Sequence, residues 1–135
     1  SMSEEIGVFI ELGWTSPAMR SVFGTNDGIV SQGIVIDGTD AQKSEWLPRL
    51  ANGEVIASFA LTEPGSGSDA GSLRTAARRD GDEYVINGTK RFITNSPHAG
   101  VFSLMARTNP DEPGARGVSA VIVAAARPRL SIGRN

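Results

Sequence analysis

The chain changes character at Gly53, and this change constrains the fold more than any other feature of the sequence. Between Met2 and Ile10, apolar residues recur at spacings of four, seven and eight, which is the pattern of one face of a helix. After Gly53, β-branched and aromatic residues alternate with polar ones between clusters of glycine, asparagine and aspartate. The sequence therefore predicts a helical part over residues 1–53 and a β-domain over residues 54–135.

Short helices with recognisable ends are expected in the first part. Ser16-Pro17 is typical of a cap followed by proline at the first helical position. Asn26 can cap the next helix, and Thr39 with Gln42 matches a capping box. We expect a kink or a break of the last helix at Pro48, since proline cannot donate the helical hydrogen bond.

Apolar residues of the helical part should form a core. The apolar face around Ile6 must pack on another surface. Trp14 and Trp46 both lie among apolar residues at helical spacing, so we expect both indole rings to be buried.

The second part is predicted to be a run of antiparallel strands that form a small barrel or sandwich. Asn87-Gly88 is the strongest hairpin signal, because a type I′ turn requires positive φ at both central positions. The fold class is therefore α+β, with short helices followed by an antiparallel β-barrel or sandwich-like domain. The strands are predicted at residues 55–61, 74–79, 83–86, 90–94, 101–107, 118–124 and 130–133.

Composition excludes several function classes. The net charge of −2 provides no basic surplus for a nucleic-acid partner. The chain has no cysteine and one histidine, which excludes zinc fingers, iron–sulfur clusters and disulfides, and we expect no metal site. The histidine, His98, is expected in a solvent-facing turn. No apolar run reaches the roughly 18 to 20 residues of a membrane span, and the start is acidic, so we expect a soluble protein without an export signal.

The segment from Phe59 to Asp69 is the most informative for function, because an apolar run stops at Thr62 and opens into a glycine- and serine-rich loop. Backbone N–H groups without side-chain cover and serine hydroxyls can converge there on a phosphate. The loop also fits the G-x-G-x-x-A dinucleotide pattern, but a tight turn at residues 80–82 follows where a βαβ unit needs a helix, so we reject that interpretation. A flexible connector remains the alternative.

A second segment, Lys90 to Thr94, places an aromatic ring and a hydroxyl two positions apart. On a strand, Phe92 and Thr94 would share one face with Cα atoms about 6.6 Å apart, so the pair can serve a flavin. An aromatic core residue beside a threonine favoured in strands is the alternative. Glu63 and Asp69 are expected to close turns by accepting backbone N–H groups, not to act as acid and base.

These segments resemble the acyl-CoA dehydrogenase family in order and spacing. Members have a helical domain, a central β-domain and a C-terminal helical bundle, bind FAD noncovalently and usually form tetramers. The resemblance covers the end of the first of these domains and most of the second. The matching segments are Gly38 to Lys43, Leu47-Pro48, Gly53-Glu54, Phe59 to Asp69, Tyr84 to Gly88, Lys90 and Phe92 to Asn95.

The resemblance implies FAD as the cofactor. Residues 59–62 would follow the pyrimidine side of the flavin, and Ser68 would touch both the pyrophosphate and the acyl-CoA. Phe92 takes the position where many members stack a tryptophan on the ring, and Thr94 would bond near N5. Arg116 is a candidate contact for CoA. The implied cofactor-binding residues are Phe59, Ala60, Leu61, Thr62, Gly67, Ser68, Phe92, Ile93 and Thr94.

The family's reaction is implied as well: a carboxylate base takes the α proton of an acyl-CoA thioester while a hydride passes from the β carbon to flavin N5. An electron-transfer flavoprotein would accept the electrons, and a dimer or tetramer in the cytoplasm, or in the mitochondrial matrix of a eukaryote, would carry out fatty acid β-oxidation. Because the base lies in the C-terminal bundle, we assign no catalytic residue here. We expect these 135 residues alone to be inactive and to bind FAD weakly.

Two alternatives remain open from the sequence. An acyl-CoA oxidase or a nitroalkane-oxidase-like flavoenzyme would keep the fold and change the acceptor or the substrate. A β-domain used only for assembly would keep the fold without catalysis. The length and branching of the acyl chain are not predicted.

Overall fold

A computed structural model of the protein describes residues 2–133. Their contacts divide into two compact units. The helical unit runs up to Ser58 and includes Thr94–Ala99, and the sheet unit comprises Phe59–Ile93 and the chain from Gly100 onward. None of the helices in the described part of the chain is long and apolar enough to cross a bilayer.

Up to Ser58, the described residues of the helical unit form four α-helices and one π-helical segment: α1 Met2–Thr15, α2 Pro17–Phe23, the π-helical segment Gly24–Ser31, α3 Gln32–Asp37 and α4 Asp40–Ala51. The residues flanking the π-helical segment keep right-handed helical dihedral angles, so α2 and α3 are joined without an interruption. Pro17 occupies the start of α2 as predicted, although the Ser16 side chain makes no capping hydrogen bond.

Asn26 does not cap a helix, contrary to prediction, because it lies inside the π-helical segment. Its side chain instead donates to the Leu50 carbonyl at 3.3 Å and accepts from the Ala57 N–H at 2.7 Å. Asparagine is thus used here to satisfy backbone groups far away in sequence, a role that local patterns do not reveal.

The capping box of α4 is confirmed. The Gln42 N–H donates to Thr39 Oγ1 at 3.2 Å, and the Thr39 N–H donates to Gln42 Oε1 at 3.0 Å. Pro48 does not break the helix, which continues to Ala51.

Burial of the two tryptophans differs. Trp46 is 7% exposed and belongs to the core with Val30, Ile34 and Leu50, as predicted. Trp14 is 85% exposed, so its prediction is wrong, and Ile6 is also more than half exposed. Helical periodicity identifies an apolar face but not what covers it, and the described residues leave this face of α1 open.

The strands are β1 Ala57–Ala60, β2 Ala76–Asp80, β3 Glu83–Asn87, β4 Val101–Arg107 and β5 Val118–Ala124. They form a sheet of order β1-β4-β2-β3, with β5 also paired to β4. The pairs β2–β3 and β4–β5 are antiparallel, whereas β2 and β4 run parallel with Ala76 opposite Arg107. The sheet is therefore mixed, and the prediction of a purely antiparallel domain is wrong at this pair.

Two predicted strands, at residues 90–94 and 130–133, do not form. The hairpin predicted at Asn87-Gly88 is also absent, because Asn87 is the last residue of β3 and pairs with Ala76. The turn between β2 and β3 lies at Gly81, whose φ is +62°, and the pair Asp80 and Glu83 closes it. This turn occurs one strand earlier than the Asn-Gly dipeptide suggested.

Candidate functional site

The structure brings the two informative segments of the sequence together. Beyond the end of β1, the Leu61 carbonyl accepts a hydrogen bond from Lys90 Nζ at 2.9 Å. The next carbonyl, that of Thr62, accepts from the Arg91 N–H at 2.8 Å. Two consecutive residues of one segment are thus bonded to two consecutive residues of the other, although nearly thirty positions separate them in sequence.

The second segment is a turn, which corrects the predicted strand. The φ angle of Phe92 is 58° and that of Asn95 is 66°, both in the left-handed region. The strand alternation that would place Phe92 and Thr94 on one face therefore does not apply. A left-handed phenylalanine is a rare conformation that costs on the order of 1–3 kcal/mol and that concentrates at functional sites.

The ring of Phe92 is presented to solvent. The residue is 79% exposed, so it is not an aromatic core residue. The Arg91 guanidinium lies 4.6 Å from the ring centroid, a cation–π distance. A large ring held by a strained turn and mostly open to solvent is available to stack on a planar ligand.

The other predicted cofactor contacts of these segments have mixed burial. Phe59 and Ala60 belong to β1, where Ala60 is 3% exposed and Phe59 is half-buried. Ile93 is half-buried. Thr94 belongs to the helical unit, where its carbonyl accepts from the fully buried Ser58 Oγ at 2.7 Å, while its own side chain is exposed.

Glu63 is a buried carboxylate that joins three segments. It accepts from the Arg74 N–H at 2.7 Å and from the Thr75 N–H at 2.9 Å, ahead of β2. It also accepts from Lys90 Nζ at 2.8 Å, and the two side chains are 7% and 9% exposed. The expectation that this carboxylate accepts backbone N–H groups is confirmed.

The pKa of Glu63 follows from this environment. Burial raises the pKa, but the ion pair with Lys90 and the backbone donors of Arg74 and Thr75 outweigh it and lower the pKa from 4.5 to about 2. The Thr75 hydroxyl is buried and makes no hydrogen bond among the described residues. A carboxylate with this pKa is a poor acceptor for a substrate proton near neutral pH.

Sequence reasoning missed the pairing of Glu63 with Lys90. A glutamate directly after an apolar run and a lysine two positions before the apolar pair Phe92-Ile93 are the available signals, since buried charges need partners. The partner itself could not be chosen, because the strand predicted at Lys90 directed its side chain by alternation.

The glycine- and serine-rich loop begins with a hydrogen-bonded turn. The Glu63 N–H donates to the Ser66 carbonyl at 2.8 Å, and the Ser66 N–H donates to the Glu63 carbonyl at 3.2 Å. Ser66 Oγ then donates to the Asp69 carbonyl at 2.7 Å. These bonds argue against a flexible connector. Gly67 and Ser68, at the exposed tip, are uncovered.

A short 3-10 turn, Ala70–Ser72, and then strand β2 follow the loop. No α-helix begins here in the described residues, so the rejection of a dinucleotide-binding βαβ unit is confirmed.

Arg107 connects this loop to the polar loop 109–116, a role that the sequence did not suggest. Its Nη2 donates to the carbonyls of Gly71 and Leu73 at 2.7 and 3.4 Å. Its Nη1 donates to the carbonyls of Glu112 and Gly114 at 3.0 and 3.3 Å. The planar fork of arginine is suited to such multiple donation.

The two predicted substrate-binding residues lie on the loops that Arg107 connects. Ser68 precedes the turn Ala70–Ser72, and Arg116 lies in the turn Gly114–Gly117 that packs against it. The Arg116 side chain is 82% exposed and, within residues 2–133, makes only a 3.8 Å ion pair with Glu112. Such an exposed pair is weak, so the guanidinium is available to an anionic ligand.

Other features of the described residues do not compete with this site. Open grooves of about 470 and 250 Å³ lie on the helical unit and are lined by none of the predicted site residues. No group of three potential metal ligands occurs between residues 2 and 133. His98 is exposed in a short 3-10 turn, as expected.

Comparison with known proteins finds two family models along the chain. The N-terminal domain of acyl-CoA dehydrogenase matches residues 1–54, and the middle domain of acyl-CoA dehydrogenase matches residues 58–135. An acyl-CoA dehydrogenase of Bacillus subtilis (strain 168) is 40% identical over 124 residues, which are 92% of this chain and 32% of that protein.

Two solved structures of this family also match most of the chain. A crystal structure of acyl-CoA dehydrogenase from Geobacillus kaustophilus superposes with a TM-score of 0.85 at 38% identity, over 90% of this chain and 32% of that one. A glutaryl-CoA dehydrogenase from Mycobacterium smegmatis in complex with FADH2 gives 0.82 at 38% identity, over 89% and 30%. The chain thus spans about a third of the length of these proteins.

Proposed function

The chain belongs to the acyl-CoA dehydrogenase family, and on that premise we propose that it is the flavin-binding part of an enzyme that introduces an α,β double bond into an acyl-CoA thioester. Residues 1–53 would be the end of the helical N-terminal domain and residues 54–135 part of the central β-domain. Because the chain spans about a third of its relatives, the activity is assigned to a longer polypeptide.

The observation that carries this proposal is the exposed Phe92 ring on a turn bonded to the segment after β1. This arrangement fits FAD, since the ring can stack on the tricycle while the neighbouring segment meets its polar edge. The Leu61 and Thr62 carbonyls already accept hydrogen bonds from Lys90 and Arg91. We therefore assign the flavin contacts there to backbone amide groups and to the Thr62 hydroxyl. The proposed cofactor-binding residues are Phe59, Ala60, Leu61, Thr62, Gly67, Ser68, Phe92, Ile93 and Thr94.

FAD, when bound, supplies the acceptor for a hydride from the substrate. The residues of this chain hold and orient the flavin and the CoA part of the substrate. Glu63 is not the base, because its pKa of about 2 makes it a poor proton acceptor and three donors occupy its carboxylate oxygens. We assign the base to a carboxylate elsewhere in the longer polypeptide and propose that these residues alone are inactive and bind FAD weakly.

Substrate and partner assignments follow the same premise. We propose that Ser68 contacts the acyl-CoA and that the exposed Arg116 guanidinium meets a CoA phosphate. The proposed electron acceptor is an electron-transfer flavoprotein, and the proposed assembly is a homodimer or homotetramer. Its place would be the cytoplasm, or the mitochondrial matrix in a eukaryote.

The test is made on the complete protein. Flavin absorption in the purified protein, and its bleaching under anaerobic conditions by acyl-CoA thioesters of varied length, would support the proposal and identify the substrate class. Reoxidation by an electron-transfer flavoprotein without oxygen consumption would separate a dehydrogenase from an oxidase. A colourless protein that takes up no FAD would contradict the proposal and favour an assembly domain.

A further inference from the structure

We propose that the Glu63–Lys90 ion pair is a positioning device that maintains the left-handed turn at Phe92 and thereby orients the ring toward the flavin. The flavin part of this inference rests on the proposed function. The pair itself touches neither cofactor nor substrate in this assignment, and acts through the backbone of residues 90–92.

Glu63 is the immobile half of the pair. Its carboxylate is held by the N–H groups of Arg74 and Thr75, at 2.7 and 2.9 Å, which precede β2. Its own backbone closes the turn with Ser66 through two hydrogen bonds. A carboxylate held at both its backbone and its side chain is a fixed anchor for a cation.

Lys90 transfers this anchorage to the turn. Its ammonium donates to Glu63 Oε1 at 2.8 Å and to the Leu61 carbonyl at 2.9 Å, and the side chain is 9% exposed. The next residue, Arg91, donates its N–H to the Thr62 carbonyl at 2.8 Å. The chain is therefore bonded at two successive residues immediately before Phe92.

Phe92 needs such support. A phenylalanine persists at a φ of 58° only where the surroundings impose that conformation. Burial of its ring does not impose it, because the residue is 79% exposed. The two bonds of the Lys90 ammonium and the backbone bond of Arg91 are restraints on the N-terminal side of the turn that can do so.

The pair also differs from an ordinary surface ion pair. Arg49 and Glu54 lie at a similar separation of 2.7 Å, but their side chains are 39% and 55% exposed. Water and salt screen that pair, so it does little to fix the conformation of the chain around it. The buried pair is screened far less and can hold a geometry.

The experiment uses the complete protein with Lys90→Met, and with Glu63→Gln/Lys90→Met, which leaves no buried charge without a partner. Amide hydrogen exchange at residues 91–93 is measured without FAD, and the circular dichroism of the bound flavin is measured after loading with FAD. We expect exchange at Arg91 to accelerate roughly five- to tenfold and the flavin spectrum to change. Glu54→Gln should leave both unchanged.

A matched control separates positioning from a general loss of stability. Val101→Ala, at a fully buried position of β4, should lower the melting temperature while leaving exchange at residues 91–93 and the flavin spectrum unchanged. If Val101→Ala and the double variant change both readouts alike, or if the double variant changes neither, the inference is wrong.

The inference can still be tested if the double variant does not fold or if the protein binds no FAD. If the double variant does not fold, Lys90→Arg serves instead, because the larger, planar guanidinium does not fit the buried position of the ammonium between its two acceptors. Altered exchange and an altered flavin spectrum would then support the inference, and wild-type values for both would overturn it. If the wild-type protein binds no FAD, the proposed function fails, and exchange at residues 91–93 alone decides whether the pair maintains the turn.

Discussion

Gly88 lies so close to Thr75 that a Cβ atom built on the glycine would come within 2.7 Å of Thr75 Cα. The contact occurs where β3 ends, one position after Asn87 pairs with Ala76. The glycine is thus required for a close approach of two backbones and not for a turn with positive φ.

We therefore expect Gly88→Ala to destabilise the protein by about 3 kcal/mol, since backbone and side-chain atoms of Thr75 must both move. Gly65→Ala is the matched control, because a Cβ there meets nothing within 4 Å. Urea unfolding of both variants gives the comparison. Equal stabilities would show that Gly88 has room for a side chain.

Glu63 should make stability depend on pH in the acid range. Its pKa is lowered from 4.5 to about 2 in the folded protein, so the folded state favours the ionised form. This contribution, on the order of 3 kcal/mol, is complete above about pH 5 and is lost as the pH falls toward 2. The difference in unfolding free energy between wild type and Glu63→Gln should therefore shrink over that range. A difference that is constant or grows with acid would contradict the assignment.

The Phe92 side chain should contribute more to FAD affinity than to the stability of the fold. Phe92→Gly removes the left-handed strain and is expected to be about 1 kcal/mol more stable than Phe92→Ala, which keeps a Cβ at a φ of 58°. Both should bind FAD more weakly in the complete protein, because both lack the ring, whereas Phe92→Trp should retain binding. Thermal unfolding and FAD titration measure the two effects separately. An alanine variant as stable as the glycine variant would speak against strain.

Arg107→Lys should loosen the polar loop. Lysine has three donors on a single atom and cannot reach the carbonyls of Gly71, Leu73, Glu112 and Gly114 together. We expect a loss of about 2 kcal/mol in unfolding free energy and faster proteolysis within residues 109–116. Arg78→Lys, on an exposed position of β2, should stay within about 0.5 kcal/mol of wild type. Cleavage of the loop at the wild-type rate would show that Arg107 does not order it.

Sequence predicted the features that depend on near neighbours. The capping box of Thr39 and Gln42 and the strands β4 and β5 are set by residues a few positions apart, and all three are found. Trp14 and Trp46 have similar surroundings in sequence but opposite exposure, because burial depends on what packs against a helix face. The strand at residues 90–94 failed for a related reason, since Arg91 bonds to the distant Thr62 carbonyl in place of a strand partner.

In the candidate site, too, some residues could be predicted from sequence and others could not. The glycine- and serine-rich loop and Phe92 could be chosen from residue type alone, as an anion-binding loop and an aromatic ring. Lys90 and Arg107 could not, because their roles are defined by the carbonyls and carboxylate that folding brings to them. The role of such a charged residue can be identified only when the three-dimensional structure shows which groups lie next to it.

The acceptors of Arg107 are all main-chain oxygens. Every amino acid supplies such an oxygen, so the side chain at position 112 is free to drift between relatives without depriving the arginine of an acceptor there. An insertion or a deletion between residues 109 and 116 would carry two of the four oxygens out of reach. Evolution of this loop should accordingly preserve its length and relax its composition except at Gly114, whose φ is +65°.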